Sequence, residues 1–269
     1  MGSTKSCAVA FRLLWAPHVL GSEMNDTTSA GHDTETIAVV ELARATLDLS
    51  RTTFPEEYYY HSLPLCVVDA IFSINARYRA VQNVIARYCS YFGLPRLRQP
   101  RDRLPPIEEQ ESVSSFCGKY AERSAEAFAV QIFQNRQRTS TRNGILKAEA
   151  VWRFAEVLRT CRVEFLQDIP VAMANTALSA AVRAIPGQGS GISLDYFWML
   201  AGAEDGVKPD RMILRFVERA IGHRATPSEA QSLISRAAEG LSQEYTHLTA
   251  RFLDYLVWQY ESSNRRIGA

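Results

Sequence analysis

The chain has 269 residues with a net charge of +1, and 46% of its residues are hydrophobic. This composition is typical of a globular protein with a sizeable core, and the near-neutral charge argues against a non-specific nucleic-acid coat. No apolar run approaches the roughly 20 residues that a membrane span requires. We therefore expect no membrane partner and a cytoplasmic location.

The cysteines and histidines give no sign of a cofactor. The five cysteines, at positions 7, 66, 89, 117 and 161, are widely spaced and include no C-x-x-C pair. An odd, scattered set of this kind indicates reduced thiols and no disulfide framework. The five histidines lack the spacing of metal ligands. We expect no metal site, no iron–sulfur site and no other cofactor.

The first predicted elements lie in the N-terminal third. Residues 1–35 are expected to be a disordered tail, because residues 21–35 are rich in Gly, Ser, Thr, Asn and Asp. A helix is predicted over residues 36–49. Apolar residues at helical spacing predict two helices between residues 65 and 92, with a break at 73–77. A proline-rich basic loop, residues 94–106, follows.

The rest of the chain also predicts helices. They are expected at residues 113–134, 146–161, 163–168, 170–184, 193–200, 210–221, 228–241 and 243–259. Thr226, Pro227 and Glu229 give one of them the cap and proline that are typical of a helix start. No strand and no internal repeat is evident, so the predicted fold class is all-α, with ten to twelve helices.

The most informative stretch about function is residues 185–191, which read Ile-Pro-Gly-Gln-Gly-Ser-Gly. A Pro-Gly-x-Gly turn between two helices lets backbone N–H groups approach a phosphate closely. The helix that follows directs its unpaired N–H groups and positive dipole end toward the same anion. We therefore predict a DNA phosphate site formed by Gly187, Gly189, Ser190, Gly191 and Lys208. Ordinary turn and C-cap glycines are the alternative interpretation.

This arrangement resembles the helix-hairpin-helix DNA glycosylases, the superfamily that contains endonuclease III and the bacterial 3-methyladenine glycosylases. In that family a Leu-Pro-Gly-x-Gly hairpin precedes a helix and then a loop that ends in the catalytic Asp. Here the hairpin is residues 185–189, the helix reaches Leu200, and the loop ends in Val-Lys-Pro-Asp at 207–210. Residues 72–77, Phe-Ser-Ile-Asn-Ala-Arg, resemble the family's Leu-Ser-x-Gln-x-Thr turn. The likeness covers about residues 65–220.

The resemblance implies a two-lobed fold with DNA bound across the cleft. One lobe would contain residues 36–64 and 203–269, and the other residues 65–202, ending in the helix-hairpin-helix at 176–200. The bifunctional members carry a Lys two residues after the second hairpin glycine, where this chain has Gly191. Without that amine no Schiff base forms on the sugar. The resemblance therefore implies a monofunctional enzyme that leaves an abasic site.

The resemblance also assigns the site residues. Asp210 takes the place of the catalytic carboxylate, which stabilises positive charge on the deoxyribose, and an N-cap role is compatible with this. Asn75, or its neighbour Arg77, is expected to fill the gap left by the flipped nucleotide, with an ordinary turn residue as the alternative. Tyr196 and Trp198 are candidates for stacking on the base, with core packing as the alternative.

The predicted function is hydrolysis of the N-glycosidic bond of a flipped, damaged or modified base. Base-excision repair and defence against modified phage DNA are both compatible settings. The predicted partner is double-stranded DNA, bound by a monomer. Two other classes stay open. One is a non-catalytic helix-hairpin-helix DNA-binding protein, and the other is an all-α interaction protein in which Pro-Gly-x-Gly is an ordinary turn.

Overall fold

The computed structural model describes residues 26–264, and within that range every regular element is helical, which confirms the all-α prediction. The α-helices are α1 (Asp26–Thr46), α2 (Leu63–Phe72), α3 (Tyr78–Phe92), α4 (Val113–Ala121), α5 (Ala125–Ala127), α6 (Lys147–Thr160), α7 (Ile169–Ala172), α8 (Thr176–Arg183), α9 (Ile192–Ala201), α10 (Arg211–Ile221), α11 (Pro227–Ser242) and α12 (Ala250–Asn264). Short 3-10 turns and one π-helical turn, Phe128–Ile132, connect some of them. Within residues 26–264 no helix has the length and apolar content to cross a bilayer.

Helix starts that the sequence marks with a cap are found where predicted. The break between α2 and α3 falls at residues 73–77, and α9 and α10 agree with their predicted ranges to within a residue or so. At α11, Thr226 Oγ1 accepts the N–H of Glu229 at 3.3 Å while the Glu229 carboxylate accepts the N–H of Thr226 at 2.7 Å. This reciprocal capping box satisfies two N–H groups that the helix itself leaves unpaired.

The bounds of three predicted helices are wrong, because a side chain inside each predicted range caps the start of a new helix. Ser124 Oγ accepts the N–H of Ala127 at 3.1 Å, which divides the helix predicted over 113–134. Asn175 Oδ1 accepts the N–H of Leu178 at 3.0 Å and divides the helix predicted over 170–184. Thr249 Oγ1 accepts the N–H of Phe252 at 3.2 Å, so that α12 begins at Ala250 although we predicted a start at 243. The side chains of Ser, Thr and Asn bind backbone N–H groups, and these hydrogen bonds compete with those of a continuous helix.

The predicted disordered tail is also corrected. Helix α1 begins at Asp26, ten residues before the expected start at residue 36, so residues 26–35 are helical. The helix packs against α10 and α11, and Glu35, at the end of the added stretch, contacts His223 at 3.1 Å. Residues 1–25, the remainder of the predicted tail, lie outside the described residues.

Buried apolar side chains form two clusters. The central cluster is built from Tyr58 to Ala201 and contains α2–α9. The terminal cluster joins Val39 and Ala43 of α1, and Leu49 after it, to residues between 207 and 257 in the loop before α10, α10, α11 and α12. Phe54 and Tyr255 pack against both clusters. Tyr58, Tyr60 and Leu63 belong to the central cluster, so the two clusters divide near Phe54, whereas the predicted lobe boundary was at residue 64.

The Tyr58–Leu63 segment joins the central cluster for a specific reason. Tyr60 is buried, and its hydroxyl donates to Asp69 Oδ2 at 2.7 Å. The backbone of Tyr60 also forms an isolated antiparallel bridge with Leu97. Burial of a polar hydroxyl is favourable only when it finds such a partner, and the partner here lies on α2.

A buried lysine connects the end of α2 to the start of α6. The Lys147 side chain is 2% exposed, and its ammonium donates to the carbonyls of Phe72 at 3.0 Å and Ile74 at 2.6 Å and to Gln137 Oε1 at 3.0 Å. These three acceptors use all the protons of the ammonium. We call the segment from Gln137 to Lys147 the connector 137–147. Lys147 therefore anchors the α2–α3 turn to this connector.

We expect Lys147→Met to destabilise the protein by about 2 kcal/mol or more, because three acceptors, among them the buried Phe72 carbonyl, lose their donor together. The measurement is urea unfolding at pH 7. Arg153→Met on the same helix is the matched control: Arg153 is partly exposed, and its ion-pair partner within residues 26–264 is Glu149 at 2.6 Å. Its cost should stay below about 0.5 kcal/mol. Equal unfolding midpoints for the two variants would contradict the anchoring role of Lys147.

Candidate functional site

A cavity of about 410 Å³ lies between the two clusters. Its walls come from the α2–α3 turn, the hairpin before α9, α9 itself, the start of α10 and one face of α12. Six residues that the sequence predicts for the site line it together: Asn75, Gly187, Ser190, Tyr196, Lys208 and Asp210. These residues are far apart in sequence, so the fold and not the local motif brings them to one place.

Asp210 lies at the first turn of α10 and lines the cavity. Its backbone is extended, and its Oδ1 accepts the N–H of Met212 at 2.7 Å and, at the longer distance of 3.5 Å, that of Ile213. The N-cap role considered from the sequence is thus present. A carboxylate at this end of a helix is also stabilised by the helix dipole. The cap holds the side chain in one orientation at the cavity wall.

A second carboxyl group, Asp254, lines the same cavity from α12, and the sequence analysis missed it. It is 7% exposed, and its Oδ1 accepts the backbone N–H of Lys208 at 2.9 Å. Burial, followed by the nearby Asp210 carboxylate, raises the pKa of Asp254 to about 8. At neutral pH Asp254 therefore holds a proton, since a proton removes the charge that burial disfavours.

Lys208 contacts the cavity wall through both its backbone and its side chain. Its backbone N–H is bound by Asp254, and its Nζ lies 3.6 Å from the centre of the Tyr196 ring. This is a cation–π contact inside the cavity wall, so the ammonium does not occupy the hairpin surface where we predicted a phosphate contact. The contact also covers one face of Tyr196, which restricts any stacking partner to the rest of the ring.

The hairpin has the geometry that its glycines predict. Gly187 has φ +86° and Gly191 has φ +80°, values that other residues rarely adopt. A Cβ on Gly187 would lie 2.5 Å from Thr139 Oγ1, and a Cβ on Gly191 would lie 2.5 Å from the Arg183 guanidinium carbon. Gly187 therefore excludes a side chain both by its φ angle and by its contact with Thr139. At Gly191 the φ angle alone disfavours a side chain, because the exposed Arg183 side chain can move.

Not every hairpin amide is available to an anion. The N–H of Gly191 donates to the carbonyl of Gln188 at 3.0 Å, so the predicted phosphate contact at this amide is corrected. Among residues 26–264, no acceptor binds the N–H groups of Gly189 and Ser190, and both residues are exposed. These two amides and the Arg183 guanidinium next to Gly191 are therefore donors that an anion at the turn could use.

The α2–α3 turn presents Asn75 to the cavity. Asn75 is exposed with φ +50°, a left-handed conformation that Asn tolerates better than most residues. Two carbonyls of the same turn are held by Lys147, so the turn has a fixed position. Arg77, the second candidate for the wedge, is exposed at the N-cap of α3 and does not line the cavity.

Trp198 is not part of the cavity, and its predicted stacking role is corrected. The side chain is 8% exposed and packs against Phe197 at 4.9 Å between ring centres. On a helix, neighbouring positions point in different directions, so Tyr196 and Trp198 lie on different sides of α9. Core packing, the alternative given for Trp198, is the arrangement that the structure has.

The aromatic wall of the cavity comes from elsewhere in the chain. It consists of Phe54, Tyr58, Tyr78, Tyr255 and Trp258. Tyr58 and Tyr78 stack at 5.2 Å and 24°, and Tyr255 and Trp258 stack at 6.4 Å and 26°. Together these rings give the cavity flat apolar surfaces of the kind that hold a planar ligand.

The sequence carries a signal for this wall. Arg251, Asp254, Tyr255 and Trp258 have the spacing i, i+3, i+4 and i+7, which places them on one face of a helix. All four line the cavity. An arginine and an aspartate on an otherwise apolar helix face are uncommon inside a core, and that combination indicates a site.

The family-model comparison matches residues 37–262 to the family described as Domain of unknown function (DUF8548), and the chain belongs to this family. Neither a curated protein nor a solved structure matches the chain. The functional assignment therefore depends on the geometry described above.

We expect Asp254→Asn to change how stability depends on pH. The pKa of Asp254 in the folded protein, about 8, is above its unfolded value. Stabilisation by the bound proton is therefore complete below pH ~4 and is lost as the pH rises toward 8. The variant keeps the acceptor for Lys208 but has no titrating group. The free energy of unfolding of the variant, relative to that of wild type, should therefore rise by on the order of 3 kcal/mol between pH 5 and pH 8.

The measurement is the thermal midpoint of both proteins from pH 5 to pH 8.5. The difference between the two proteins isolates Asp254, because all other titrating groups are common to both. Parallel curves for the two proteins would show that Asp254 is ionised throughout this range.

Proposed function

We propose that this protein is a monofunctional DNA glycosylase, which hydrolyses the N-glycosidic bond of a damaged or modified base flipped out of duplex DNA. The observation that carries the proposal is the meeting of Asp210, the glycine hairpin and Asn75 around one cavity. These are the three parts that the resemblance to helix-hairpin-helix glycosylases requires: a carboxylate, a phosphate clamp and a wedge.

The carboxylate supplies the chemical step. Breaking the bond between base and sugar develops positive charge on the deoxyribose, and a fixed anion beside the anomeric carbon stabilises that charge. Asp210 is suited to this role because two backbone N–H groups hold its Oδ1 while the residue lines the cavity. An anion that is oriented before the reaction needs no reorganisation during it.

The hairpin and the α2–α3 turn position the DNA. The free amides of Gly189 and Ser190, together with Arg183, bind one backbone phosphate at the rim of the cavity. Asn75, exposed at the same rim, enters the stack where the flipped nucleotide was. Unstacking a base costs a few kcal/mol, and a side chain that fills the gap offsets part of that cost.

The cavity itself receives the base. Its volume of about 410 Å³ lies within the usual range for small-molecule sites, roughly 300–1,000 Å³. Stacked and edge-on aromatic rings form its walls, which suits a planar heterocycle. A non-catalytic DNA-binding protein has no need for an aromatic cavity with two acidic groups, so this observation favours the enzyme. Base-excision repair and defence against modified phage DNA are both settings for this activity.

The proposal predicts that Asp210→Asn abolishes base release without abolishing DNA binding. Asn caps a helix about as well as Asp, so the start of α10 should be retained while the negative charge is lost. We expect single-turnover release to fall at least ~100-fold and the duplex dissociation constant to change less than about threefold. The assay incubates the protein with duplexes that carry modified bases and detects the freed base by mass spectrometry.

A matched control is Asp205→Asn in the exposed loop before α10, which should leave the release rate unchanged. Equal rates for Asp210→Asn and wild type would remove Asp210 from the mechanism. Parallel loss of release and binding would instead indicate a role of Asp210 in folding or in DNA contact.

The hairpin prediction uses Gly189→Val. No atom lies within 4 Å of the position of a Cβ at Gly189, and φ is not positive, so the fold should accept the side chain. A phosphate on the neighbouring amides would be blocked by it. We expect duplex binding to weaken about tenfold and the slope of log affinity against log salt to fall by about one.

Gly118→Val on the exposed surface of α4 is the control, since a Cβ there also meets nothing within 4 Å. The measurement is a fluorescence anisotropy titration of a labelled duplex at several salt concentrations. Identical binding by Gly189→Val and Gly118→Val would show that the hairpin does not hold a phosphate.

A further inference from the structure

Asp254 has no part in the proposed function so far, although it shares the cavity with Asp210. A buried carboxyl group is costly, and this one has a polar partner at only one oxygen: Oδ1 accepts the N–H of Lys208 at 2.9 Å. In the described residues no hydrogen-bond donor is directed at Oδ2. That oxygen is the one that can carry a proton and offer it to an occupant of the cavity.

We propose that Asp254 is the general acid of the reaction, which protonates the departing base while Asp210 stabilises the sugar. This inference rests on the proposed function. It also defines the substrate class: a modified base that is uncharged and leaves only after it has accepted a proton. Bases that already carry a positive charge, such as those alkylated on a ring nitrogen, do not need this help.

The placement of the two acids supports the division of roles. Asp254 is on the same face of α12 as Tyr255 and Trp258, whose stacked rings form part of the wall for a planar base. Asp210 is on a different element, the start of α10, and lines the same cavity. With the base against the rings of α12, Asp254 is the acid beside the base, and Asp210 is the acid that serves the sugar.

The surroundings keep a proton on Asp254. The titratable and charged groups facing Asp254 are Asp210, Lys208, Arg251 and Tyr196. Burial and the Asp210 carboxylate raise the pKa of Asp254, and they outweigh Lys208 and Arg251, which lower it. One acid is thus protonated beside another that is capped by backbone N–H groups. A protonated carboxyl group near a second carboxyl group is the arrangement used for acid catalysis with charge stabilisation in sugar hydrolysis.

The step balances with water as the only co-reactant. Asp254 transfers its proton to a ring nitrogen or carbonyl oxygen of the base, and the electron pair of the bond between C1′ and the base nitrogen moves onto the base. The resulting cation at C1′ lies against the Asp210 carboxylate. A water oxygen then bonds to C1′ and gives up a proton through Asp210 to solvent. Asp254 regains its proton from solvent, and the products are the free base and an abasic sugar.

The experiment compares wild type with Asp254→Asn on two kinds of duplex at pH 7. One kind carries an uncharged modified base, namely uracil, hypoxanthine or 8-oxoguanine, and the other carries cationic 7-methylguanine. The Asn variant keeps the acceptor for Lys208 but has no transferable proton. We expect its single-turnover release of the uncharged base to fall about 100-fold or more, while release of 7-methylguanine, where wild type shows it, falls less than about threefold.

A second measurement needs no variant. With the uncharged base, the wild-type rate should decline as the pH rises through about 8, because the proton on Asp254 is then lost. A rate that stays constant up to pH 9 would overturn the role of Asp254 as acid, even if the variant failed to fold.

The remaining outcomes separate this inference from the proposed function. Equal losses on both kinds of duplex, or no loss on either, would overturn the acid role and leave the glycosylase proposal standing. The same holds if wild type releases only 7-methylguanine. Release of none of the four bases by wild type would count against the proposed function itself, and the role of Asp254 would be lost with it.

Discussion

The site depends on the hydrogen bond from the Lys208 N–H to Asp254 Oδ1, which measures 2.9 Å. It fastens the loop before α10 to α12, and Val207 next to it is fully buried in the terminal cluster. Asp210 follows two residues later, so its place at the cavity wall is set by this bond and by its own cap on Met212. A buried carboxyl group that carries a proton can make such a bond without the cost of a buried charge.

A second constraint relates the hairpin, which we propose as the phosphate clamp, to Asn75, which we propose as the wedge. The connector 137–147 contacts both: Thr139 Oγ1 donates to the carbonyl of Pro186 at 2.9 Å, and Lys147 donates to the carbonyl of Ile74 at 2.6 Å. One segment therefore fixes the spacing between the hairpin and the turn that bears Asn75. Supporting contacts of this kind hold site residues in a productive geometry, although they do not touch DNA.

Local signals predicted local structure well. The capping box at Thr226, the turn at Asn75 and the glycines of the hairpin are dictated by nearby residues, and the structure has them where the sequence places them. The interior caps at Ser124 and Asn175 are equally local, but a capping residue inside a long helical pattern is decisive only when tertiary packing favours the break. The cavity, in contrast, could not be predicted from local patterns. Asp254 and Trp258 meet Asp210 only because α12 packs on α10, which no local pattern encodes.

The most direct test of the proposed glycosylase site is a crystal structure of the protein with a duplex that contains a cationic pyrrolidine analogue of the abasic sugar. We predict that the analogue is flipped into the cavity, with the Asp210 carboxylate within about 3.5 Å of its ring nitrogen. We also predict a phosphate on the amides of Gly189 and Ser190, and Asn75 in the gap in the stack. DNA bound on another surface, or a duplex left fully stacked across an empty cavity, would contradict the proposed site.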